Sequence, residues 1–188
     1  MISAFPNPPA ISPLSSESIS CEISVTGLGF ASFVTAFNPV TSTAYFIPFC
    51  LAQPASVTQL FCANGTTAQG SIDVGIYDED GEYIISAGST TQSGTSAIQA
   101  FTLSPNVIIG PGRFYLAISL ANTQGHYLRM VWTTTTLGTL AGMKYVFDTF
   151  PLPTTAVTFT NLTTTSAALP FRALATVPLI GLSPNVTI

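Results

Sequence analysis

The acidic residues are the side chains of this sequence best suited to chemistry, and four of them stand together in Asp78-Glu79-Asp80-Gly81-Glu82. Within this turn Asp78, Asp80 and Glu82 offer oxygen atoms of the kind that Ca²⁺ binds. The spacing and the distal glutamate of an EF-hand loop are missing, however. Asp and Gly are also the residues that a hairpin turn requires. The pattern therefore favours a turn, with a weak calcium site as the alternative.

An enzymatic centre is not indicated by the other reactive residues. The only histidine, His126, has no Gly-x-Ser-x-Gly nucleophile motif to serve. Zinc ligands are not clustered, and half of the acidic residues share one turn instead of facing each other across a cleft. No glycine-rich loop precedes a helix. We therefore expect a protein that is not an enzyme and that has no catalytic residue, resident metal or cofactor.

Four tyrosines raise the question of sugar binding, because aromatic rings stack on sugars. They fall at strand ends or on the expected outer faces of strands, where they could form a platform for a glycan: Tyr77, Tyr83, Tyr115 and Tyr127. Aromatic residues fill cores and subunit contacts more often than they bind ligands. Packing is thus the favoured interpretation and a glycan platform the alternative.

The three cysteines, Cys21, Cys50 and Cys62, are odd in number and lack the spacing of metal ligands. They are expected to be buried free thiols that act as small hydrophobic residues. A disulfide between Cys50 and Cys62 across adjacent strands is the alternative.

The chain of 188 residues is unusually poor in charge. Charged residues make up 6% and the net charge is −4, whereas typical globular proteins are about 25% charged. Such a surface is weakly protected against association, and obligate interfaces are depleted in charge in the same way. We therefore expect a homo-oligomer, with a free surface of neutral hydroxyl and amide groups as the alternative explanation of the low charge. Four scattered basic residues cannot form a nucleic-acid or membrane-binding patch, so neither partner is expected.

The pattern of apolar residues predicts an all-β fold. In Ser71–Tyr77 the apolar Ile72, Val74 and Ile76 alternate with other residues, and Phe114, Leu116, Ile118 and Leu120 share one face of a second strand. Eight to ten short strands with turn signals every 8–12 residues indicate a two-sheet antiparallel sandwich of the jelly-roll type. The sandwich is expected over residues 21–188, with residues 144–188 as a possible peripheral extension.

Residues 1–20 differ from the rest of the chain, since four prolines forbid a helix and cannot donate to a sheet. We predict an extended arm that lies on a neighbouring subunit, with a disordered tail as the alternative. Its contacts would be made by apolar residues and prolines: Ile2, Phe5, Pro6, Pro8, Pro9, Ile11 and Leu14.

The middle third of the sequence resembles a known class of module. The matching segments are 57–60, 64–66, 70–78, 81–88, 101–103 and 110–118. Together they resemble the jelly-roll, carbohydrate-binding-like modules in structural proteins of tailed bacteriophages, which occur in tail fibres, receptor-binding tips and capsid decoration proteins. The resemblance implies a location in the virion, after synthesis in the host cytoplasm, and a homotrimer; it transfers no ligand-binding residue.

These observations lead to one functional expectation and one alternative. We expect a non-enzymatic virion structural protein that oligomerises and decorates or cements a phage capsid, with itself and the major capsid protein or another virion protein as partners. The short length and the absence of heptads favour a decoration or cement protein over a fibre. The alternative is a glycan-binding tail-fibre or receptor-binding module that recognises a host surface glycan.

Overall fold

The computed structural model describes residues 19–20, 32–34, 42–122, 124–127, 129–131, 143–146, 149–161, 176–178 and 180–184. Within these residues the secondary structure consists of strands without helices. No helix long and apolar enough to cross a membrane occurs in the described part of the chain. The prediction of an all-β fold is confirmed.

The described strands are numbered along the chain. They are β1 (Ile19–Ser20), β2 (Ser32–Val34), β3 (Ala44–Leu51), β4 (Ala55–Ala63), β5 (Ser71–Asp78), β6 (Tyr83–Ser86), β7 (Thr90–Thr91), β8 (Ile98–Ile109), β9 (Gly112–Leu120), β10 (Arg129–Val131), β11 (Lys144–Val146), β12 (Thr160–Asn161), β13 (Thr176–Pro178) and β14 (Ile180–Pro184).

Two antiparallel sheets form the body of the protein. The four-stranded sheet has the order β1-β14-β4-β8, and the seven-stranded sheet has the order β12-β11-β3-β9-β5-β6, with β7 beside β5. A smaller sheet has the order β13-β10-β2. The pairs β3·β9, β4·β8 and β5·β6 are nested along the chain, and each of them is antiparallel. The two-sheet sandwich is thus confirmed, and its jelly-roll type stays a prediction.

The core lies between these two sheets because the alternating residues of their strands face each other. Leu60, Phe101 and Leu182 come from the four-stranded sheet, and Ile76 and Leu116 come from the seven-stranded sheet. All five are buried. The predicted alternation in β5 and β9 is confirmed, since their apolar residues belong to this core: Ile72, Val74, Ile76, Phe114, Leu116, Ile118 and Leu120.

A covering segment, residues 149–159, lies over the outer face of the seven-stranded sheet. Its Leu152 is buried together with Phe46, Tyr77 and Tyr115, while Val157 and Phe159 pack against the same cluster. Gly75 permits this contact, because a Cβ atom there would stand 2.8 Å from the Ile85 carbonyl oxygen and 3.1 Å from a Leu152 methyl carbon. The middle of the seven-stranded sheet, strands β3, β5 and β9, is consequently buried on both faces at this cluster.

The segment Ser104-Pro105-Asn106, whose residue types are typical of a turn, lies inside β8, where four residues, 103–106, stand opposite the single residue Thr58 of β4. The ladder between β4 and β8 is therefore interrupted around Pro105, which has no N–H to donate, and it continues beyond this point. At the end of the predicted arm, Ile19 and Ser20 pair with Leu182 and Gly181. The apolar residues and prolines predicted to make the arm's contacts lie outside the described residues.

Candidate assembly surface

Charge is distributed unequally between the two main sheets. All charged residues whose side chains the structure describes lie in the seven-stranded sheet or in the turn between β5 and β6: Asp73, Asp78, Glu79, Asp80, Glu82, Arg113 and Lys144. The four-stranded sheet, by contrast, has no charged residue in any of its strands. Among the described residues, the body therefore has one ionic side and one neutral side.

The outer face of the four-stranded sheet follows from strand alternation. Val57, Leu60 and Cys62 of β4 are fully buried in the core. Because successive side chains of a strand point to opposite faces, Gln59 and Phe61, on either side of Leu60, point outward. Their partners on β8 are Thr102 and Ala100, respectively. We define the neutral face as the outward residues of β4 and β8: Ser56, Gln59, Phe61, Ile98, Ala100, Thr102 and Ile108.

The neutral face carries the two most exposed large apolar side chains of the described chain. Ile98 is 70% exposed and Ile108 is 76% exposed. Ile98 pairs with Ala63 and Ile108 pairs with Ser56, which places them about 23 Å apart along the sheet at about 3.3 Å per residue of β4. A neutral sheet face with apolar residues at both ends is the kind of surface that proteins bury against other proteins.

The acidic turn is organised by its own hydrogen bonds. The Asp78 carboxylate accepts hydrogen bonds from the backbone N–H groups of Asp80 (3.0 Å) and Glu82 (2.8 Å). Gly81 has a φ of +90°, and a Cβ atom there would collide with the Val157 carbonyl oxygen. Within the described residues no cluster of three potential metal ligands occurs. The Asp78 carboxylate and the backbone N–H groups of Asp80 and Glu82 thus take part in turn formation.

The four tyrosines that could form the alternative glycan platform do not make an exposed surface, because three of them are buried and the fourth is half-buried. Tyr77, Tyr115 and Tyr127 are at most 4% exposed, and Tyr83 is half-buried. Tyr77 donates its hydroxyl to the Pro153 carbonyl oxygen at 2.5 Å, and its ring meets that of Tyr83 edge-on at 5.8 Å. The covering segment thus buries part of the outer face of the seven-stranded sheet in a second hydrophobic cluster, which contains Tyr77 and Tyr115. This agrees with the favoured interpretation that the tyrosines serve packing.

The cysteines differ from one another. Cys50 and Cys62 are both free, so the alternative of a disulfide between them is wrong. Cys62 is buried, as expected, and burial raises the pKa of its thiol to about 12. Cys50 is exposed, which corrects the expectation of burial. Cys21 lies outside the described residues.

His126 takes part in the structure through its backbone. Its carbonyl oxygen accepts hydrogen bonds from the Gly65 N–H (2.9 Å) and the Gln92 amide (2.8 Å), and its own N–H donates to the Thr67 carbonyl oxygen. The Nδ1 atom of the ring makes no hydrogen bond in the described part of the chain. His126 therefore joins loops through its backbone.

A buried amide cluster, Asn64, Gln92 and Gln99, was not expected from the sequence. Gln92 Nε2 donates to Asn64 Oδ1 at 2.9 Å, and Asn64 Nδ2 donates to Gln99 Oε1 at 3.0 Å. Further bonds reach the carbonyl oxygens of Thr91, Ser93 and His126. Since the three amides satisfy one another and the loops around them, the cluster fixes the loops at one end of the sandwich.

Asp73 was also not expected to be special, yet it is the one fully buried carboxyl group in the described residues. Its Oδ2 accepts a hydrogen bond from the Leu152 N–H at 3.0 Å. Burial raises the pKa of Asp73 from 3.8 to about 6, against the opposing effect of this hydrogen bond. Burial and the nearby Asp73 charge likewise raise the pKa of Tyr77.

A pH-dependent stability follows from Asp73. Between pH 4 and pH 6 the folded protein keeps the Asp73 proton while the unfolded chain loses it, so the free energy of unfolding falls as the pH rises through this window. Asp73→Asn is expected to remove that fall, as measured by urea unfolding at a series of pH values. Glu79→Gln, at an exposed position, is the control and should leave the slope unchanged; an unchanged slope in Asp73→Asn would contradict the prediction.

The fold and the surface together define an all-β sandwich protein with one neutral sheet face. No protein-family model matches the chain, and neither a curated protein nor a solved structure shows significant similarity to it. Its function must therefore be argued from its own residues.

Proposed function

We propose that the protein is a non-enzymatic structural protein that assembles with copies of itself through the neutral face. The observation that carries the proposal is the separation of charge, because the four-stranded sheet is free of ionic residues while Ile98 and Ile108 are exposed on it. Burying such a face removes apolar surface from water, at about 25 cal/mol per Å², without removing water from any charged group.

The virion is the proposed place of this assembly, as a decoration or cement protein on a phage capsid. This part of the proposal is supported by the resemblance of the segments between residues 57 and 118 to phage jelly-roll modules, and by the nested pairing of β3·β9, β4·β8 and β5·β6. The jelly roll, the trimer and the capsid partner belong to the proposal. Stoichiometric amounts of this chain in purified virions would support it, and its absence from them would contradict it.

The self-assembly is tested by a charge on the neutral face. Gln59 points outward from β4, an interior strand of its sheet, so Gln59→Glu adds a carboxylate to the face without touching a sheet edge. The wild-type protein is expected to have a mass above 19.6 kDa in light scattering. Gln59→Glu should weaken its association at least tenfold, because the interface would bury an unpaired charge.

Thr90→Glu is the matched control, since Thr90 is an exposed residue of β7 in the other sheet. It should associate like the wild-type protein. A wild-type chain that stays monomeric at high concentration would overturn the proposal. A truncation that removes residues 1–18 and keeps β1 shows separately whether the predicted arm contributes to association.

A further inference from the structure

The backbone edge of β8 has no other strand beside it among the described residues, and it is a different surface from the neutral face, which is made of side chains. In the four-stranded sheet β8 is the last strand and has β4 as its only ladder partner among the described residues. The Asn64 N–H donates to the Ala97 carbonyl oxygen at 2.8 Å, so these two residues form a hydrogen-bonded pair. Because hydrogen-bonded and non-hydrogen-bonded pairs alternate along an antiparallel ladder, the next pair, Ile98 and Ala63, exchanges no hydrogen bonds. The N–H and C=O groups of Ile98, Ala100 and Thr102 are consequently directed away from β4.

The first half of this edge, residues 98–102, lacks the features that normally prevent strands from pairing, whereas the second half contains Pro105 and the irregularity. Natural edge strands are protected by charged residues, prolines, bulges or short length. The stretch 98–102 has no charged residue and no proline, it is regular, and the irregularity of β8 begins only after Thr102. Ile98, Ala100 and Thr102 are also exposed. An extended chain could therefore hydrogen-bond to this stretch directly.

We propose that the occupant of this edge is the same stretch of a second copy, in an antiparallel pair whose twofold axis passes through Ala100. This register places Ile98 of one copy opposite Thr102 of the other, and it pairs the three outward residues with one another. An identical, neutral strand meets no like charge in such a pair, as a twofold interface requires. Charged residues are concentrated instead in the seven-stranded sheet and its acidic turn.

The pairing deepens the proposed function and depends on it. Two four-stranded sheets joined at β8 become one continuous sheet of eight strands, and their neutral faces become one uncharged surface of twice the width. That wider surface is what the protein would present to further subunits. Edge pairing thus supplies a dimer as the first step of assembly, and the face supplies the later contacts.

The first test removes one hydrogen-bond donor. Ala100→Pro deletes an N–H that points away from β4 and leaves the ladder with β4 intact, whereas Ala100→Ser keeps the N–H at the same position. By analytical ultracentrifugation over a concentration series, Ala100→Pro should raise the dimer dissociation constant at least tenfold, and Ala100→Ser should leave it within about twofold. Equal constants for the two variants would overturn the edge pairing.

The second test reads the register and does not depend on whether the proline variant folds. In a Cys50→Ser background, Ala100→Cys should form a disulfide between two copies on mild oxidation, because the Cα atoms of a hydrogen-bonded antiparallel pair are about 5.5 Å apart. Thr90→Cys, exposed on β7, should not. Peptide mass spectrometry identifies the linked cysteines.

The outcomes separate this inference from the proposed function. An oligomer that forms without the Ala100 disulfide and ignores Ala100→Pro overturns the edge pairing and leaves the neutral face as the interface. An oligomer lost only on removal of residues 1–18 also overturns it, since the arm would then be the contact. A wild-type monomer overturns both.

Discussion

Asn64→Ala is expected to lower the free energy of unfolding by about 3 kcal/mol. The substitution deletes both hydrogen-bonding groups of an amide that is 1% exposed, and it leaves Gln92 Nε2 and Gln99 Oε1 each with one partner fewer. Buried polar groups that lose partners cost about 1–3 kcal/mol each, and the remaining bonds to loop carbonyl oxygens offset part of this cost. Urea unfolding followed by circular dichroism measures the change.

The control for the amide cluster is Gln69→Ala. The Gln69 side chain is exposed, although its backbone N–H donates to Gln92 Oε1 at 3.1 Å, so its removal should cost less than about 0.5 kcal/mol. If Asn64→Ala were as mild as this control, the cluster would not be holding the loops together. A decreased affinity between copies in Asn64→Ala without a loss of stability would equally contradict the structural role given to it.

Leu152→Ala is expected to destabilise the protein by about 3 kcal/mol, the usual cost of truncating a buried leucine. Leu152 is 3% exposed and belongs to the cluster that contains Phe46, Tyr77 and Tyr115. The covering segment is otherwise held by the Tyr77 hydroxyl, by Asp73 and by the Val157 N–H, which donates to the Gly81 carbonyl oxygen at 3.0 Å. The free energy of unfolding and hydrogen exchange at the Val157 amide are the two measurements.

The two measurements distinguish unfolding of the whole protein from local undocking of the covering segment. Undocking of the covering segment alone should speed exchange at Val157 while the amides of β4 and β8 stay protected. Thr155→Ala, at an exposed position of the same segment, is the control and should change neither. Uniformly slow exchange in Leu152→Ala would mean that the segment is held in place without its leucine.

The sandwich could be predicted because the signals of its strands are local. The alternation of Ile72, Val74 and Ile76, and the four apolar residues of β9, show directly which side of each strand faces the core. The continuation of β8 past Pro105 could not be predicted, since Ser-Pro-Asn is a strong turn signal in isolation. It is overridden by the ladder that resumes where Val107 pairs with Val57.

The burial of the tyrosines depends on a contact between distant parts of the sequence. Tyr77 is covered by residues that follow it by more than seventy positions, and nothing in the sequence around Pro151 and Pro153 indicates a segment that lies on a sheet. The same covering explains Asp73, whose carboxylate would be an ordinary outward residue of β5 if Leu152 were elsewhere. Alternation alone assigns both residues to a solvated face.

The neutral face could be recognised only after the strands were assigned to sheets. The low charge of the whole sequence predicts association, but it does not indicate where the remaining charged residues lie. Asp73 and Arg113 are separated by forty residues in the sequence and still belong to one sheet, whereas β4, between the strands of that sheet in sequence order, belongs to the other. Sheet membership thus decides the location of the surface.

The one-sided placement of charge among the described residues also gives that part of the molecule an electric dipole. Salt ions and protons act on the ionic side, where the acidic turn lies, and find no charged group in the strands of the other sheet. Moderate salt should therefore change the electrophoretic mobility of the protein and its orientation in an electric field. It should hardly change the affinity of association through the neutral face. In an array built on that side, every copy would direct its acidic turn, residues 78–82, toward the opposite side of the array.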